Sequence, residues 1–146
     1  MPSHYPAYYH FDDENDCWHI GFRDFPEFQA ASYKREDIEL EAQDALLTAI
    51  AIEFDEGRAV PPPSSCDAAE LHVPLPLLAQ LKIALHNALL AQQMPKALLA
   101  RKLGFNAGQM NRLLDIAYAS KAEALEQALF LLGYEIRASV HLCDKQ

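Results

Sequence analysis

Residues 96–113 read KALLARKLGFNAGQMNRL, and this stretch decides how the C-terminal half folds. Two short helical patterns flank Gly104. Ala100 lies four residues before that glycine, and Leu99, Leu103, Met110 and Leu113 fill the apolar positions around it. Two helices cross closely when a small residue faces the partner, and Ala100 supplies one. The turn needs a residue at ease with positive φ, and Gly104 supplies it. The pattern predicts a helix-turn-helix whose second helix presents its N-terminal end to a DNA major groove. A plain αα-hairpin in a bundle uses Ala and Gly in similar places, so charge has to separate the two readings. Between residues 96 and 121 stand five bases (Lys96, Arg101, Lys102, Arg112 and Lys121) against a single acid, Asp115. Phosphate contact requires such a basic rim.

Within this stretch Arg112 is the candidate reader of a guanine edge, with phosphate contact as the alternative. Asn106, Gln109 and Asn111 are weaker polar candidates. Ala107 and Gly108 stand where polar readers are common, and offer close approach or a thymine-methyl contact. Lys96 is placed to anchor a phosphate, with Arg101, Lys102 and Lys121 completing the rim. Asn106 with Gln109 three residues on forms a capping-box pattern for a helix over Ala107–Ala117. Ser120 with Glu123 repeats it for Lys121–Leu132, ended by Gly133. Upstream, Pro76–Ala91 carries an apolar stripe at Leu77, Leu78, Leu81, Leu85 and Leu89, and Pro95 opens the helix ending at Leu103. Tyr134–Leu142 is rich in β-formers and predicts a terminal strand.

The N-terminal half has a different period. Tyr5, Ala7, Tyr9 and Phe11 alternate, residues 12–16 are polar, and Trp18, Ile20 and Phe22 alternate again. That is a β-hairpin signature. Phe25-Pro26-Glu27 reads as a break, with a third strand over Phe28–Tyr33. From Lys34 to Phe54 the apolar positions Ile38, Ala42, Ala45, Leu46, Ala49, Ile50 and Phe54 follow a 3.6-residue repeat, which predicts one long helix with Gly57 beyond its end. Lys34 is a poor N-cap, so the start of that helix is expected to be loose. After Pro61-Pro62-Pro63-Ser64-Ser65, Leu71-His72-Val73 predicts a short strand returning to the sheet. The order is β-β-β-α-β, then helices: an α+β chain divided at about residue 74 into 1–74 and 75–146.

The net charge of −9 is unevenly spread. Residues 1–70 hold 8 Asp and 8 Glu against four bases, a net of −12, and residues 71–146 are net +3. An acidic half joined to a basic half predicts two partners, one cationic and one nucleic acid. No run approaches the roughly 18 apolar residues of a membrane span, and Met1–His10 lacks the features of a signal peptide. Cys17, Cys66 and Cys143 are widely spaced and form no CxxC, which suits a reducing cytoplasm and no disulfide framework.

Catalytic and metal readings are weak. Asp12, Asp13, Glu14 and Asp16 crowd one turn, whereas two-metal hydrolysis needs carboxylates converging from several elements. Cys17 replaces the glycine a calcium loop requires. His10 and His19 could face one another across the hairpin, but sequence shows no third zinc ligand, so they read as paired surface or half-buried histidines. Cys17 near His19 lacks an orienting third group for nucleophilic chemistry. Tyr5, Tyr8, Tyr9 and Trp18 could stack RNA bases, but the surrounding negative charge opposes it. No catalytic residue, metal or cofactor is expected.

Both halves together resemble the HicB antitoxins of type II toxin–antitoxin systems, in their helix-turn-helix variant. The resemblance rests on Tyr5-Pro6-Ala7, Asp24-Phe25-Pro26-Glu27, Ala42-Gln43-Asp44-Ala45-Leu46-Leu47 and Pro61-Pro62-Pro63-Ser64 in the first half. In the second it rests on Val73-Pro74-Leu75, Ala100-Arg101-Lys102-Leu103-Gly104, Asn111-Arg112-Leu113-Leu114 and Ala119-Ser120-Lys121. It implies a partial ribonuclease-H-like N-terminal domain without nuclease activity, which covers a HicA-type mRNA-degrading toxin. It also implies a C-terminal domain that forms a homodimer or higher homo-oligomer and binds operator DNA to repress its own operon. Charge and expected exposure nominate Asp12, Asp13, Glu14, Asp16, Asp24, Phe25 and Glu27 for the toxin. The competing reading is a ligand-sensing helix-turn-helix regulator with no toxin partner, which would need a deep apolar pocket in the first domain.

Overall fold

The structure, a computed structural model, describes residues 4–143. Its elements are β1 (His4–Asp12), β2 (Cys17–Phe22), β3 (Phe25–Ser32), a 3-10 turn (Arg35–Asp37), α1 (Ile38–Asp55), β4 (Leu71–Pro74), α2 (Leu77–Ala91), α3 (Lys96–Leu103), α4 (Ala107–Leu113) and α5 (Ala122–Leu131). The four strands form one antiparallel sheet in the order β3-β2-β1-β4.

Alternation along the strands sends every second side chain under α1. Tyr5, Ala7, Ile20, Phe22 and Val73 meet Ile38, Ala42, Leu46, Ala49 and Ile50 in one buried cluster. Three alanines on the contact stripe, Ala42, Ala45 and Ala49, let the helix lie close to the sheet. The other sheet face carries His10 opposite His19 and Asp12 opposite Cys17. A second cluster gathers Leu85, Leu89, Leu99, Ala100, Met110, Leu113, Leu125 and Leu129 from α2 to α5.

Helix α2 joins the two clusters. Its Ala79 belongs to the sheet cluster and its Leu85 to the helical one. His86 stacks on Phe54 of α1 with ring centroids 4.1 Å apart and bonds the Arg58 carbonyl through Nε2 at 2.8 Å. Asn87 pairs with both backbone groups of buried Val60. The proline-rich linker is strapped down as well. Tyr5 donates its hydroxyl to the Pro61 carbonyl (2.7 Å), Asp24 accepts from the Ser64 amide and hydroxyl, and Arg23 bridges Glu70 and the Ser65 carbonyl.

Four expectations need correction. The third strand begins at Phe25, not Phe28; Pro26 is tolerated because β3 is an edge strand, where a missing N–H leaves no ladder bond unmade. The first helix does not start at Lys34: its α-helical part begins at Ile38 after a 3-10 turn, while the missing Lys34 side-chain cap bears out the loose entry expected there. The helix expected over Ala107–Ala117 ends at Leu113, and Ser120 does not cap α5, whose N-cap is Lys121. Tyr134–Leu142 forms no strand; Val140 and Leu142 are almost fully exposed, and β-formers without a neighbouring strand have nothing to pair with.

Two expected outcomes follow from this packing. Burial, reinforced by the charge of Asp24, pushes the Tyr5 phenol up to about 12 from an ordinary 10.0. The folded chain therefore holds that proton through a range in which the unfolded chain releases it. The resulting stability is complete below pH 10 and lost as pH rises toward 12. Tyr5→Phe should cost about 1 kcal/mol near neutrality and flatten the fall above pH 10 in urea denaturation. An unchanged alkaline profile would contradict this. Helix α2 ends with Gln93 in the left-handed region at φ +53, where the Met94 amide reaches back to the Leu89 carbonyl. Gln93→Gly should relieve that strain and raise unfolding free energy by about 0.5–1 kcal/mol; no gain in the urea midpoint would refute the assignment.

Candidate functional site

The α3–α4 pair is built from local signals. Gly104 ends α3 at φ +73, with its amide on the Arg101 carbonyl (3.2 Å) and the Phe105 amide on the Ala100 carbonyl (2.8 Å). This is the Schellman arrangement that favours glycine. Two residues later Asn106 starts α4 with a full capping box: the Gln109 amide donates to Asn106 Oδ1 and the Asn106 amide to Gln109 Oε1, each at 2.8 Å. Leu99, Met110 and Leu113 are buried beneath, and Ala100 faces inward among them.

The group that fixes this pair in place is Lys82 of α2, which is fully buried. Its Nζ donates to the carbonyls of Arg112 (3.0 Å), Asp115 (2.6 Å) and Tyr118 (2.8 Å), and also lies 2.9 Å from Ser120 Oγ. Those carbonyls belong to the end of α4 and the loop after it. A cation there matches the negative end of the helix dipole. The Arg112 carbonyl accepts the Asp115 amide at 3.1 Å as well as the ammonium, and Ser120 serves the lysine instead of capping α5. Burial pushes the Lys82 ammonium below its ordinary pKa, with the Asp115 charge acting in the opposite sense.

All ten residues nominated for DNA are exposed: Lys96, Arg101, Lys102, Asn106, Ala107, Gly108, Gln109, Asn111, Arg112 and Lys121. Two contacts draw some of them together. Lys96 Nζ donates to Asn111 Oδ1 at 2.8 Å, and Arg112 reaches back toward the start of α4, with Nη1 3.6 Å from where a Cβ on Gly108 would stand. The Arg112 guanidinium also lies 5.8 Å from the Tyr118 ring centroid. Among the described residues none of the five bases forms an ion pair, so their charge is uncompensated at close range. The capping box occupies the side-chain oxygens of Asn106 and Gln109, so the long basic side chains Lys96, Arg101, Lys102, Arg112 and Lys121 are the principal reach of this surface.

The acidic nominees are not one patch. Asp12–Asp16 lie at one end of β2 and Asp24–Glu27 at the other, about 20 Å apart for six extended residues. Asp13, Glu14, Asp16 and Glu27 are exposed. Phe25 is a core residue packed on Tyr5 and Phe22, which corrects its expected exposure. Half-buried Asp24 holds the Ser64 linker. Asp12 accepts from the amides of Glu14 and Asn15, from Asn15 Nδ2 and from His19 Nε2. Hydrogen bonds, from Asn15 first and then His19, hold its carboxyl well below the usual carboxylate range.

Sequence reasoning missed Lys82. The one available signal was a lysine at i+4 from Leu78 and i−3 from Leu85, on the apolar stripe of α2. Its removal should be costly, because three backbone carbonyls lose their donor. Lys82→Met should lower unfolding free energy by about 2–4 kcal/mol and speed amide exchange in α4 and residues 114–120. A loss below about 1 kcal/mol with unchanged exchange would show the clamp to be incidental.

Comparison with known proteins identifies the lineage. The model of the HicB-like antitoxin family of bacterial toxin–antitoxin systems matches residues 4–84, which span the sheet, α1 and the first half of α2. Antitoxin HicB of Pseudomonas fluorescens is 37% identical over 133 residues, covering 88% of each chain. Antitoxin HicB 2 of Photorhabdus laumondii is 33% identical over 123 residues, or 84% of this chain and 87% of its own. Antitoxin HicB of Escherichia coli K12 is 30% identical over 117 residues, or 80% and 85%. The chain belongs to the HicB-like antitoxin family of bacterial toxin–antitoxin systems, a family of regulators and not of enzymes.

Proposed function

We propose that this antitoxin has two modules: residues 1–74, a partial ribonuclease-H-like domain that covers a HicA-type toxin, and residues 75–146, a helix-turn-helix domain that binds operator DNA as a homodimer and represses its own operon in the cytoplasm. The observation that carries the reading is the exposed surface around α3 and α4, whose five bases form no ion pair among the described residues, on a chain whose first half is strongly acidic. Opposite charge on the two halves favours a cationic protein on one and phosphate on the other. Lys96, Arg101, Lys102 and Lys121 supply phosphate contacts, and Arg112 reads a base edge from the second helix. A dimer built on this module engages half-sites about 34–36 Å apart. The ligand-sensing alternative gains little support, since the groove on the sheet layer is bordered by the charges of Asp24, Glu27, Glu53 and Arg58.

The test uses one variant and two readouts. Arg112→Ala should weaken operator binding by about 1–3 kcal/mol, roughly tenfold or more, and relax preference at one base position. Neutralisation of the toxin in a growth assay should be unchanged. Equal loss of both activities would overturn the division into modules, and unchanged operator affinity would remove Arg112 from the DNA surface.

A further inference from the structure

The outer face of the hairpin brings together three different metal-binding side chains. Asp12, Cys17 and His19 each present a ligand atom, and these atoms all lie within 4.8 Å of one another. The backbone ladder puts them there: Asp12 pairs with Cys17 across the strands, and His19 sits two residues from Cys17 on the same face. His10, the cross-strand partner of His19, stands beside them with ring centroids 5.2 Å apart. We propose that Asp12, Cys17 and His19 form a zinc site at the tip of the β1–β2 hairpin, with the fourth position beside His10.

The donor set fits the ion. One thiolate, one imidazole and one carboxylate make a borderline-soft combination that suits Zn2+ and disfavours Ca2+ or Mg2+. Tetrahedral zinc holds its ligand atoms about 3.5 Å apart, so the cluster needs a contraction of about 1 Å and some spreading of the 2.8 Å Asp12–His19 contact. Side-chain rotations suffice, because the strands already fix the Cα positions. Asp12 is held in place by the Glu14 and Asn15 amides, the outer-shell support that metal carboxylates require. Cys17 is buried and is not in a disulfide. Binding takes the thiol proton to solvent, and the resulting thiolate and the Asp12 carboxylate balance the two charges of the ion. The site closes the acidic turn between β1 and β2, so metal occupancy stabilises the hairpin by linkage.

The probe is Co2+ followed by Zn2+ on the tag-free, reduced, chelator-stripped full chain. One equivalent of Co2+ should give the intense visible bands of tetrahedral cobalt together with a thiolate-to-cobalt charge-transfer band, and Zn2+ should displace it. Zinc should also raise Tm. Cys17→Ser should abolish the charge-transfer band, and a Cys66→Ser, Cys143→Ser double variant should retain it. His19→Gln, at a partly exposed position, should weaken zinc at least tenfold, and it decides the question if Cys17→Ser does not fold. Absence of binding in the wild type, a band that survives Cys17→Ser, a band lost in the double variant, or unchanged affinity in His19→Gln would each overturn the site.

Discussion

The ammonium of Lys82 is the contact on which the C-terminal half depends. A buried cation costs several kcal/mol unless its hydrogen bonds are complete, and here three carbonyls and a hydroxyl surround it. Those acceptors come from the end of α4 and from the loop that leads to α5. One side chain therefore ties the end of α4 and the following loop to α2. Helix α2 is in turn held to the sheet layer through the His86–Phe54 stack and the Asn87–Val60 pair. The exposed face of α4 is thus tied to the sheet by a short series of buried contacts.

The same design separates structural charge from surface charge. Arg23, Asp24 and Glu70 face each other and hold the proline-rich linker against the end of the sheet. Lys82 is spent inside. The remaining bases around α3 and α4 lie in the open with no ion pair among the described residues, and several acids of the first half are equally open. Surface charge of opposite sign on two layers is the physical basis for the proposal of two partners of different chemistry.

Much of this was legible in the sequence because it depends on neighbours in the chain. The hairpin follows from alternation on both sides of a polar turn, α1 from its 3.6-residue stripe, and the α3–α4 turn from Gly104 and the Asn106–Gln109 box. What was not legible depends on distant partners. Pro26 looked like a break because sequence does not tell an edge strand from a central one. Ser120 looked like a cap because its true partner, Lys82, lies 38 residues away. Tyr134–Leu142 had the composition of a strand but pairs with neither edge of the sheet. In the candidate sites, the bases were readable as exposed, whereas Phe25 and Asp24 were not readable as core and linker support. The Asp12–Cys17–His19 cluster appears once the strand register is known, since Asp12 and Cys17 are separated by the turn that makes them neighbours.

The decisive measurement is capture of a HicA-type partner by the full chain during co-expression, read with rescue of growth in the same cells. The account predicts a stable complex and restored growth, with the acidic sheet layer in contact with the toxin. Failure to capture or rescue, in a chain that still binds operator DNA, would contradict the antitoxin reading and leave a regulator whose first layer answers to something else.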